Sequence, residues 1–352
     1  MTPASQIKPR PVRWMWQDRV PAGALTLLPG REGIGKSLAL VWLTAQLTRG
    51  MLPGIHHGHP RPVIYAASED SWAHTVVPRL MAAGADLHMV YRADVRTERI
   101  TNDQRVSGVE PLTLPRDNTE LTEEIKGTGV AMLALDPLMS VIGSAIDTHR
   151  DRELRTALDP LTQLADDTGA AVVGLSHFNK AASSDPLNLI TGSRAFSAVA
   201  RAVVAVARDP DADDGSCVMS QAKNNLGRLD LPHLRYVVRE ATVRTDEGET
   251  RVGRLVFLGE SARGVDDVLG DTASGEDRTE RDEAAEWLRA YLTDPAVGGE
   301  APATEIYKAA GRDGIAQRTL QRARSRVGVR TTPPAPGRPS VWSIDPTKGD
   351  TQ

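Results

Sequence analysis

Eight residues, GREGIGKS at positions 30–37, constrain this chain more than any other stretch. They fit the pattern G-x-x-x-x-G-K-[ST] at every position, after the apolar run LTLLP and before the helical pattern SLALVWLTAQLTRG. Glycines let successive backbone N–H groups turn towards an anion, and the start of the following helix adds the positive end of its dipole. A strand, a glycine-rich turn and a helix in this order predict a phosphate-binding loop within an α/β fold.

This loop predicts ATP as the ligand and Mg²⁺ as the cofactor. Lys36 is expected to reach the β- and γ-phosphates, and the Ser37 hydroxyl is expected to ligate the metal ion. The full set of nucleotide-binding residues expected in this segment is Gly30, Arg31, Glu32, Gly33, Ile34, Gly35, Lys36, Ser37 and Leu38.

A second metal ligand is predicted at Asp136, which ends the apolar run VAMLALD. An uncompensated carboxylate is costly to bury behind such a run, and Mg²⁺ or its water shell would compensate the charge. The alternative is that Asp136 only begins the turn before Pro137.

Glu69 follows another apolar run, in YAASED. A carboxylate at the end of a strand can face the γ-phosphate and orient the attacking water, so Glu69 is the expected catalytic base. The alternative is that Ser68, Glu69 and Asp70 cap the following helix.

His177 ends a further apolar run, VVGLSH, where its side chain is positioned to sense the γ-phosphate. The alternative is a structural hydrogen bond, the commoner role of a single histidine. Three other histidines, His56, His57 and His59, have no cysteine or acidic ligand nearby in sequence, so they predict a solvated loop rather than a metal site.

Short apolar runs alternate with longer helical patterns between about residues 24 and 260. Runs that are apolar at nearly every position are typical of strands covered on both faces. The predicted fold class is therefore α/β with a mainly parallel sheet. The expected strands are 24–29, 62–68, 130–136, 170–176 and 200–208, followed by VMSQAKNN, LRYVVRE and GRLVFLG.

Changes in composition predict how the chain divides. Residues 264–286 are acidic and rich in turn-forming residues, and within them residues 264–280 lack an apolar face, which indicates a linker between two domains. The predicted segments are an N-terminal lead (1–23), the α/β ATPase domain (24–262), an acidic flexible linker (263–280), a small C-terminal domain (281–345) and a tail (346–352).

The C-terminal domain is predicted to be a winged helix-turn-helix. Its order is helix, helix, turn, basic helix and closing hairpin, with a proline-rich wing at PPAPGRP. Residues 311–330 hold six arginines against one acid, and Arg318, Arg322 and Arg326 share one helical face, which indicates duplex DNA contact. The alternative is a solvated face on a domain that binds protein.

Net charge and cysteine content bound the remaining classes. The net charge of −4 is spread unevenly, so it does not argue against a nucleic-acid partner. A single cysteine, Cys217, excludes an internal disulfide and a multi-cysteine zinc site. With no long apolar run and no signal-peptide pattern, we expect a cytoplasmic protein without a membrane partner.

Taken together, the motifs resemble those of RecA-like hexameric ATPases of the RepA type, the replicative helicases of plasmids, phages and mobile elements. The resemblance covers about residues 14–260 and rests on four motifs in order after the phosphate loop: VIYAASED, LALDPL, SHFNKAA and GSRAFSAVARAVVAV. It implies a RecA-like core and a homo-oligomeric ring of six subunits, with ATP between neighbours.

The resemblance also implies roles for residues outside the phosphate loop. Arg201 matches the position of the arginine finger, and Lys223 resembles the lysine that acts on a neighbour's nucleotide, although Asn225 replaces the arginine that often follows it. The loops after Asp136 and His177 would face a channel for single-stranded DNA. Their expected DNA contacts are Arg150, Arg152 and Lys180, each of which has the alternative of an ordinary solvated cation. For Arg201 the alternative is a structural salt bridge to a remote acid.

Three functions remain open at this point. The leading hypothesis is an ATP-driven helicase that moves along single-stranded DNA during replication of a mobile element. The second is an ATPase that regulates or loads a replication or recombination complex without unwinding DNA. The third is a DNA-binding regulator whose ATPase acts as an assembly switch.

Overall fold

The computed structural model describes residues 2–101, 104–143, 146–147, 150–192, 194–273, 275–332 and 340–344. Within these ranges, the side chains at 96–101, 104–107, 272–273, 275–282, 318, 322, 325–326 and 331 are not described. The chain forms two compact units, the first from residues 1–208 and 216–267 and the second from residues 209–215 and 268–352. The expected wing at 333–339 and tail at 346–352 lie outside the described residues.

The first unit is built on a large sheet with helices along the chain between its strands. Its strands are β1 (Trp14–Trp16), β2 (Val20–Pro21), β3 (Leu25–Gly30), β4 (Val63–Ala67), β5 (Val90–Arg92), β6 (Asp94–Thr101), β7 (Gln104–Pro111), β8 (Met132–Asp136), β9 (Ala171–His177), β10 (Ala202–Arg208), β11 (Cys217–Asn224), β12 (His233–Thr245) and β13 (Gly248–Ser261). Its helices are α1 (Lys36–Thr48), α2 (Val77–Ala83), α3 (Asn118–Thr128), α4 (Asp151–Thr168), α5 (Pro186–Leu189) and α6 (Ala195–Val199). A π-helical turn, Trp72–Val76, precedes α2.

Nine of these strands form the main sheet, in the order β13-β12-β11-β10-β3-β9-β8-β4-β5. The six strands from β10 to β5 are mutually parallel, and β11, β12 and β13 extend the sheet antiparallel to one another. The mostly parallel α/β sheet that the sequence predicts is confirmed, and it fits a RecA-like P-loop core. The apolar runs become strands because both of their faces are covered: every residue of β3 is buried.

The strand register aligns the carboxyl ends of four parallel strands. Gly30 at the end of β3 pairs with His177 at the end of β9, and Ala67 at the end of β4 pairs with Asp136 at the end of β8. Loops that leave these strands therefore start along one edge of the sheet, which is where ligands bind in open α/β sheets.

The N-terminal segment contributes to the core of the first unit. Met15 and Val20, on the short β1–β2 pair, are almost fully buried. Trp16 packs against Trp42 of α1 at 5.4 Å between ring centroids, and Phe257 of β13 lies 4.8 Å from Trp42. The segment predicted as a lead up to residue 23 therefore belongs to the first unit from at least residue 14.

The structure is helical across most of the segment predicted as a flexible linker, 263–280. Helix α7 spans Val265–Ala273 and α8 spans Gly275–Thr293. Val265, Val268 and Leu269 are buried at a three-to-four-residue spacing, which gives α7 an apolar side among its acids. None of the helices within the described ranges is long and apolar enough to cross a bilayer.

The second unit has its own elements and its own apolar core. After α8 come β14 (Glu300–Pro302), α9 (Ala303–Arg312), α10 (Gln317–Val327), β15 (Arg330–Thr332) and β16 (Val341–Ser343). The three strands form a small antiparallel sheet in the order β14-β16-β15. The core is made by buried residues of helices and strands alike, namely Leu288, Leu292, Ile306, Ala310, Leu320, Val327 and Trp342.

We expect the two cores to respond separately to mutation. Trp342 is 1% exposed and packs edge-on against Tyr307, so Trp342→Ala should destabilise the second unit by about 3–5 kcal/mol. Calorimetric unfolding should show only one of two transitions moving down. The matched control is Leu40→Ala, which removes a fully buried side chain of the first core and should move the other transition. Equal shifts of both transitions for either variant would contradict this expectation.

Candidate active site

The loop after β3 has the backbone conformation of an anion cradle. Gly33 and Gly35 have φ of +73° and +88°, values that favour glycine because a Cβ is strained there. Gly30 has no room for a side chain, because a Cβ would lie 2.6 Å from Val206 Cγ2. Helix α1 begins at Lys36 with no side-chain cap and no acid in its first turn, so its first N–H groups are available to an anionic ligand.

Lys36 is a cation held inside this loop. Its side chain is buried, and its Nζ donates to the carbonyl of Arg31 at 2.7 Å. Burial lowers the pKa of Lys36 to about 8, against the opposing effects of Asp136 and Glu32. Because desolvation disfavours the ammonium, a phosphate in the cradle would supply the counter-charge that the loop lacks.

Asp136 is joined to the loop helix and to the neighbouring strand. Ser37 Oγ donates to Asp136 Oδ1 at 3.3 Å, and Tyr65 Oη donates to Asp136 Oδ2 at 3.0 Å. Burial raises the pKa of the Asp136 carboxyl, and the two hydroxyl donors oppose that shift. This pairing brings the two predicted metal ligands together.

The residues present fit a magnesium ion that shares its ligands with a nucleotide. In the described part of the chain, no group of three or more His, Cys, Asp or Glu side chains is placed to hold a metal ion. A cation at Ser37 and Asp136 would take its remaining ligands from phosphate oxygens and water, the usual arrangement for Mg²⁺.

Glu69 lies two residues beyond β4, on the same edge of the sheet. Its side chain is exposed, and Ser140 Oγ donates to Glu69 Oε1 at 3.4 Å. The cap of the following helical turn is made by Ser71, whose Oγ accepts from the backbone N–H of His74. Asp70 forms an ion pair with Arg79 at 2.8 Å. The capping role that competed for Glu69 is therefore taken by another residue.

His177 lies beside the phosphate loop, since it pairs with Gly30 across β3 and β9. Its Nδ1 is buried and has no hydrogen-bond partner among the described residues. Its carbonyl accepts from the N–H of Thr191 at 2.7 Å, which ties the end of β9 to the loop that follows. The position suits a side chain that responds to a bound ligand.

Arg201 and Lys223 lie at the opposite edge of the sheet. The Arg201 backbone N–H donates to Leu25, the first residue of β3, whereas the phosphate loop begins at the last residue of that strand. Arg201 is exposed and forms no ion pair within the described ranges. Lys223 Nζ donates to the carbonyls of Ser197 and Ala200 at 2.6 and 2.8 Å. Burial and the charge of Arg201 lower the pKa of Lys223.

The candidate DNA contacts fall into two groups. Arg150 pairs with Asp147 at 3.3 Å and Glu153 at 3.2 Å, while Arg152 and Lys180 are exposed and carry no ion pair where the structure describes their surroundings. The second group is Arg318, Arg322 and Arg326, which lie in α10 but whose side chains are outside the described residues.

The phosphate loop, Lys36, Asp136, Glu69 and His177 thus lie along one edge of the sheet. This set is suited to binding a nucleoside triphosphate and to directing a water molecule at its γ-phosphate. Sequence reasoning missed Tyr65 and Ser140. The only signal for Tyr65 was a polar hydroxyl inside the run VIYAAS, two residues from the strand end. Nothing in sequence pointed to Ser140.

Residues 3–183 match the model of a family described as AAA domain. The match covers just over half of the chain and includes the phosphate loop, Glu69, Asp136 and His177, whereas Arg201 and Lys223 lie beyond it. No curated protein matches the chain.

We expect nucleotide affinity to weaken as pH rises through about 8. Lys36 is charged below its pKa of about 8 and neutral above it, and a phosphate binds the charged form. The Kd for a non-hydrolysable ATP analogue should therefore rise by up to about tenfold per pH unit above that value. Calorimetric titration between about pH 7 and 9.5 measures this change. Lys36→Ala should bind weakly with little pH dependence, and a flat wild-type profile would contradict the prediction.

Proposed function

Because this chain belongs to the AAA-domain family of P-loop ATPases, we propose that it couples ATP hydrolysis to movement along single-stranded DNA, as a RepA-type replicative helicase of a mobile element. The observation that carries the ATPase part is the Lys36–Ser37–Asp136 arrangement on one sheet edge. The helicase part rests on the resemblance of the sequence motifs and on the basic residues near that edge.

In this proposal each side chain of the edge has one role. Lys36 and the N–H groups of the loop bind the β- and γ-phosphates, while Ser37 and Asp136 hold Mg²⁺. The metal ion, when bound, neutralises charge that develops on the phosphates. Glu69 orients the attacking water and accepts its proton, and Ser140 keeps the carboxylate in place. His177 senses the γ-phosphate beside Gly30 and transmits its presence to the loop after β9.

The proposed assembly is a homo-oligomeric ring, taken as hexameric. Arg201 lies beside Leu25 at the start of β3, whereas the phosphate loop begins at Gly30, where β3 ends. Five residues of strand separate the two positions by roughly 16 Å. An arginine side chain cannot span that distance within one subunit, so Arg201 would act on the nucleotide of a neighbour. Lys223, held beside Arg201 by backbone carbonyls, would position or accompany it.

DNA contact is proposed at two places. Arg150, Arg152 and Lys180 follow the loops that leave β8 and β9, so nucleotide-driven movement of those loops would reach a strand in the channel. The second unit has the element order of a winged helix, with α10 in the place of the recognition helix. Every fourth residue of α10 is an arginine in the series Arg318, Arg322 and Arg326. The buried residues of this helix occupy other positions, namely Leu320, Ala323 and Val327.

The decisive experiment measures ATP turnover and strand displacement with the same full-length preparation. Turnover stimulated by single-stranded DNA together with displacement of a paired strand supports the helicase. Stimulation without displacement would favour a loading or regulatory ATPase. Binding restricted to duplex DNA, without stimulation by single strands, would favour the nucleotide-switched regulator.

Glu69→Gln should abolish most turnover but preserve ATP binding. The amide keeps the size of the side chain but cannot accept a proton from water, so kcat should fall by about 10²–10⁴-fold. The matched control is Ser71→Ala, which removes the helix cap beside Glu69 and should leave kcat within about threefold. Turnover that survives in Glu69→Gln would remove Glu69 from the reaction.

Arg201→Ala should be almost inactive although it binds ATP, with a loss of roughly 10³-fold or more if it stabilises transition-state charge. Mixed with Lys36→Ala subunits, it should regain activity, because some interfaces then join an intact loop to an intact Arg201. The measurement is turnover of rings shown by mass to contain both variants. Absence of recovery in such rings would leave Arg201 outside the catalytic site.

A further inference from the structure

A second basic site lies at the amino-terminal edge of the main sheet, away from the phosphate loop. There a groove of about 640 Å³ runs along the segments that lead into three parallel strands, residues 22–23 before β3, 130–131 before β8 and 168–169 before β9. Residues 10–13 of the N-terminal segment form another part of its lining. Gly30 and Asp136 mark the opposite ends of the same strands, so this basic groove is separate from the candidate active site.

Positive charge dominates the basic groove. Its lining includes Arg10, Arg13, Arg61 and Lys126, with Asp166 as the one acid among the described lining residues. Lys126 forms an exposed pair with Glu123 at 3.7 Å, outside the lining. The three arginines form no ion pair in the ranges that the structure describes. Three guanidinium groups without a carboxylate partner, gathered along one concave surface, attract an anion.

The surroundings of His56 also show that positive charge is in excess in the groove. Arg61 Nε donates to His56 Nδ1 at 3.4 Å, so the histidine accepts a hydrogen bond from a cation. Burial, together with the charges of Arg61, Arg13 and His59, lowers the pKa of His56 to about 4. His56 is therefore neutral near pH 7 and leaves its other ring nitrogen as a donor. A metal ion is disfavoured here by the same cations.

The size and lining of the basic groove indicate a ligand that is larger than a single phosphate group. Apolar side chains of Val12, Ile55 and Leu226 lie in the same surface as the arginines. Arg10 and Arg13 are three residues apart in a segment without helix, so their Cα atoms are separated by at most roughly 10 Å. Guanidinium groups bind phosphate oxygens through paired N–H donors, and apolar neighbours suit a sugar or a base.

We propose that the basic groove is a second phosphate-binding site, which takes the phosphates of a nucleotide-containing ligand through Arg10, Arg13 and Arg61. The ligand is either a single-stranded nucleic acid, bound through its backbone phosphates, or a free nucleotide, bound through its polyphosphate chain. The site shares no residue with the phosphate loop or with the other residues proposed for ATP hydrolysis.

The test uses full-length protein with Lys36→Ala, so that the phosphate loop does not dominate binding. Two probes are compared by titration, a fluorescein-labelled oligothymidylate and inorganic tripolyphosphate. The test variant adds Arg10→Ala, Arg13→Ala and Arg61→Ala. The control variant instead adds Arg239→Ala, Arg244→Ala and Arg251→Ala, which removes the same charge from exposed positions on the β12–β13 hairpin.

We expect the test variant to lose at least about tenfold in affinity for one probe, with a shallower salt dependence, while the control changes by less than about threefold. Loss for the oligothymidylate identifies nucleic acid as the ligand, and loss for tripolyphosphate alone identifies a free polyphosphate. Equal losses in both variants, or none in either, would overturn the proposal. A separate folding control carries Arg10→Ala, Arg13→Ala and Arg61→Ala with Lys36 intact. It should retain DNA-independent ATP turnover within about twofold of the unsubstituted protein, which shows that the fold survives.

Discussion

Two hydroxyl groups that donate to one carboxylate join three parts of the site. Ser37 is the second residue of α1, Tyr65 lies in β4, and both donate to Asp136 at the end of β8. A carboxylate held partly out of water is costly unless its oxygens are satisfied, so these bonds help to hold the loop helix, β4 and β8 together. They thereby place the start of α1, with Lys36 and Ser37, beside Asp136.

Lys36 and Asp136 explain why the site favours a phosphate and a divalent cation. Burial lowers the pKa of the lysine and raises that of the aspartate, so in both residues the charged form is penalised. Phosphate favours the ammonium, and a divalent cation favours the carboxylate. Binding of the two together therefore relieves both penalties at once, and each ligand improves the site for the other.

The parallel strands of the core can be predicted from the sequence, whereas the β6–β7 hairpin, helix α7 and the contacts between loops are harder to predict. Runs such as LTLLP and VAMLALD are apolar at nearly every position, and only a strand covered on both faces buries them all. The hairpin of β6 and β7 carries charges at many positions, so no apolar period marks it. Helix α7 was missed because its acids and glycine outweigh three apolar residues in composition. Contacts such as Ser140 with Glu69 depend on how loops fold back, which local sequence does not encode.

The main sheet ends in two strands of very different length, β5 with three residues and β13 with 14. Among the described strands none pairs with the outer edge of β13, and an edge of this kind can pair with a strand of another molecule and start aggregation. Charged residues such as Glu249, Arg251 and Arg254 interrupt β13, and a bulge opposite β12 distorts the pairing near its end. These features discourage the strand of another molecule from pairing along the longest edge of the described sheet.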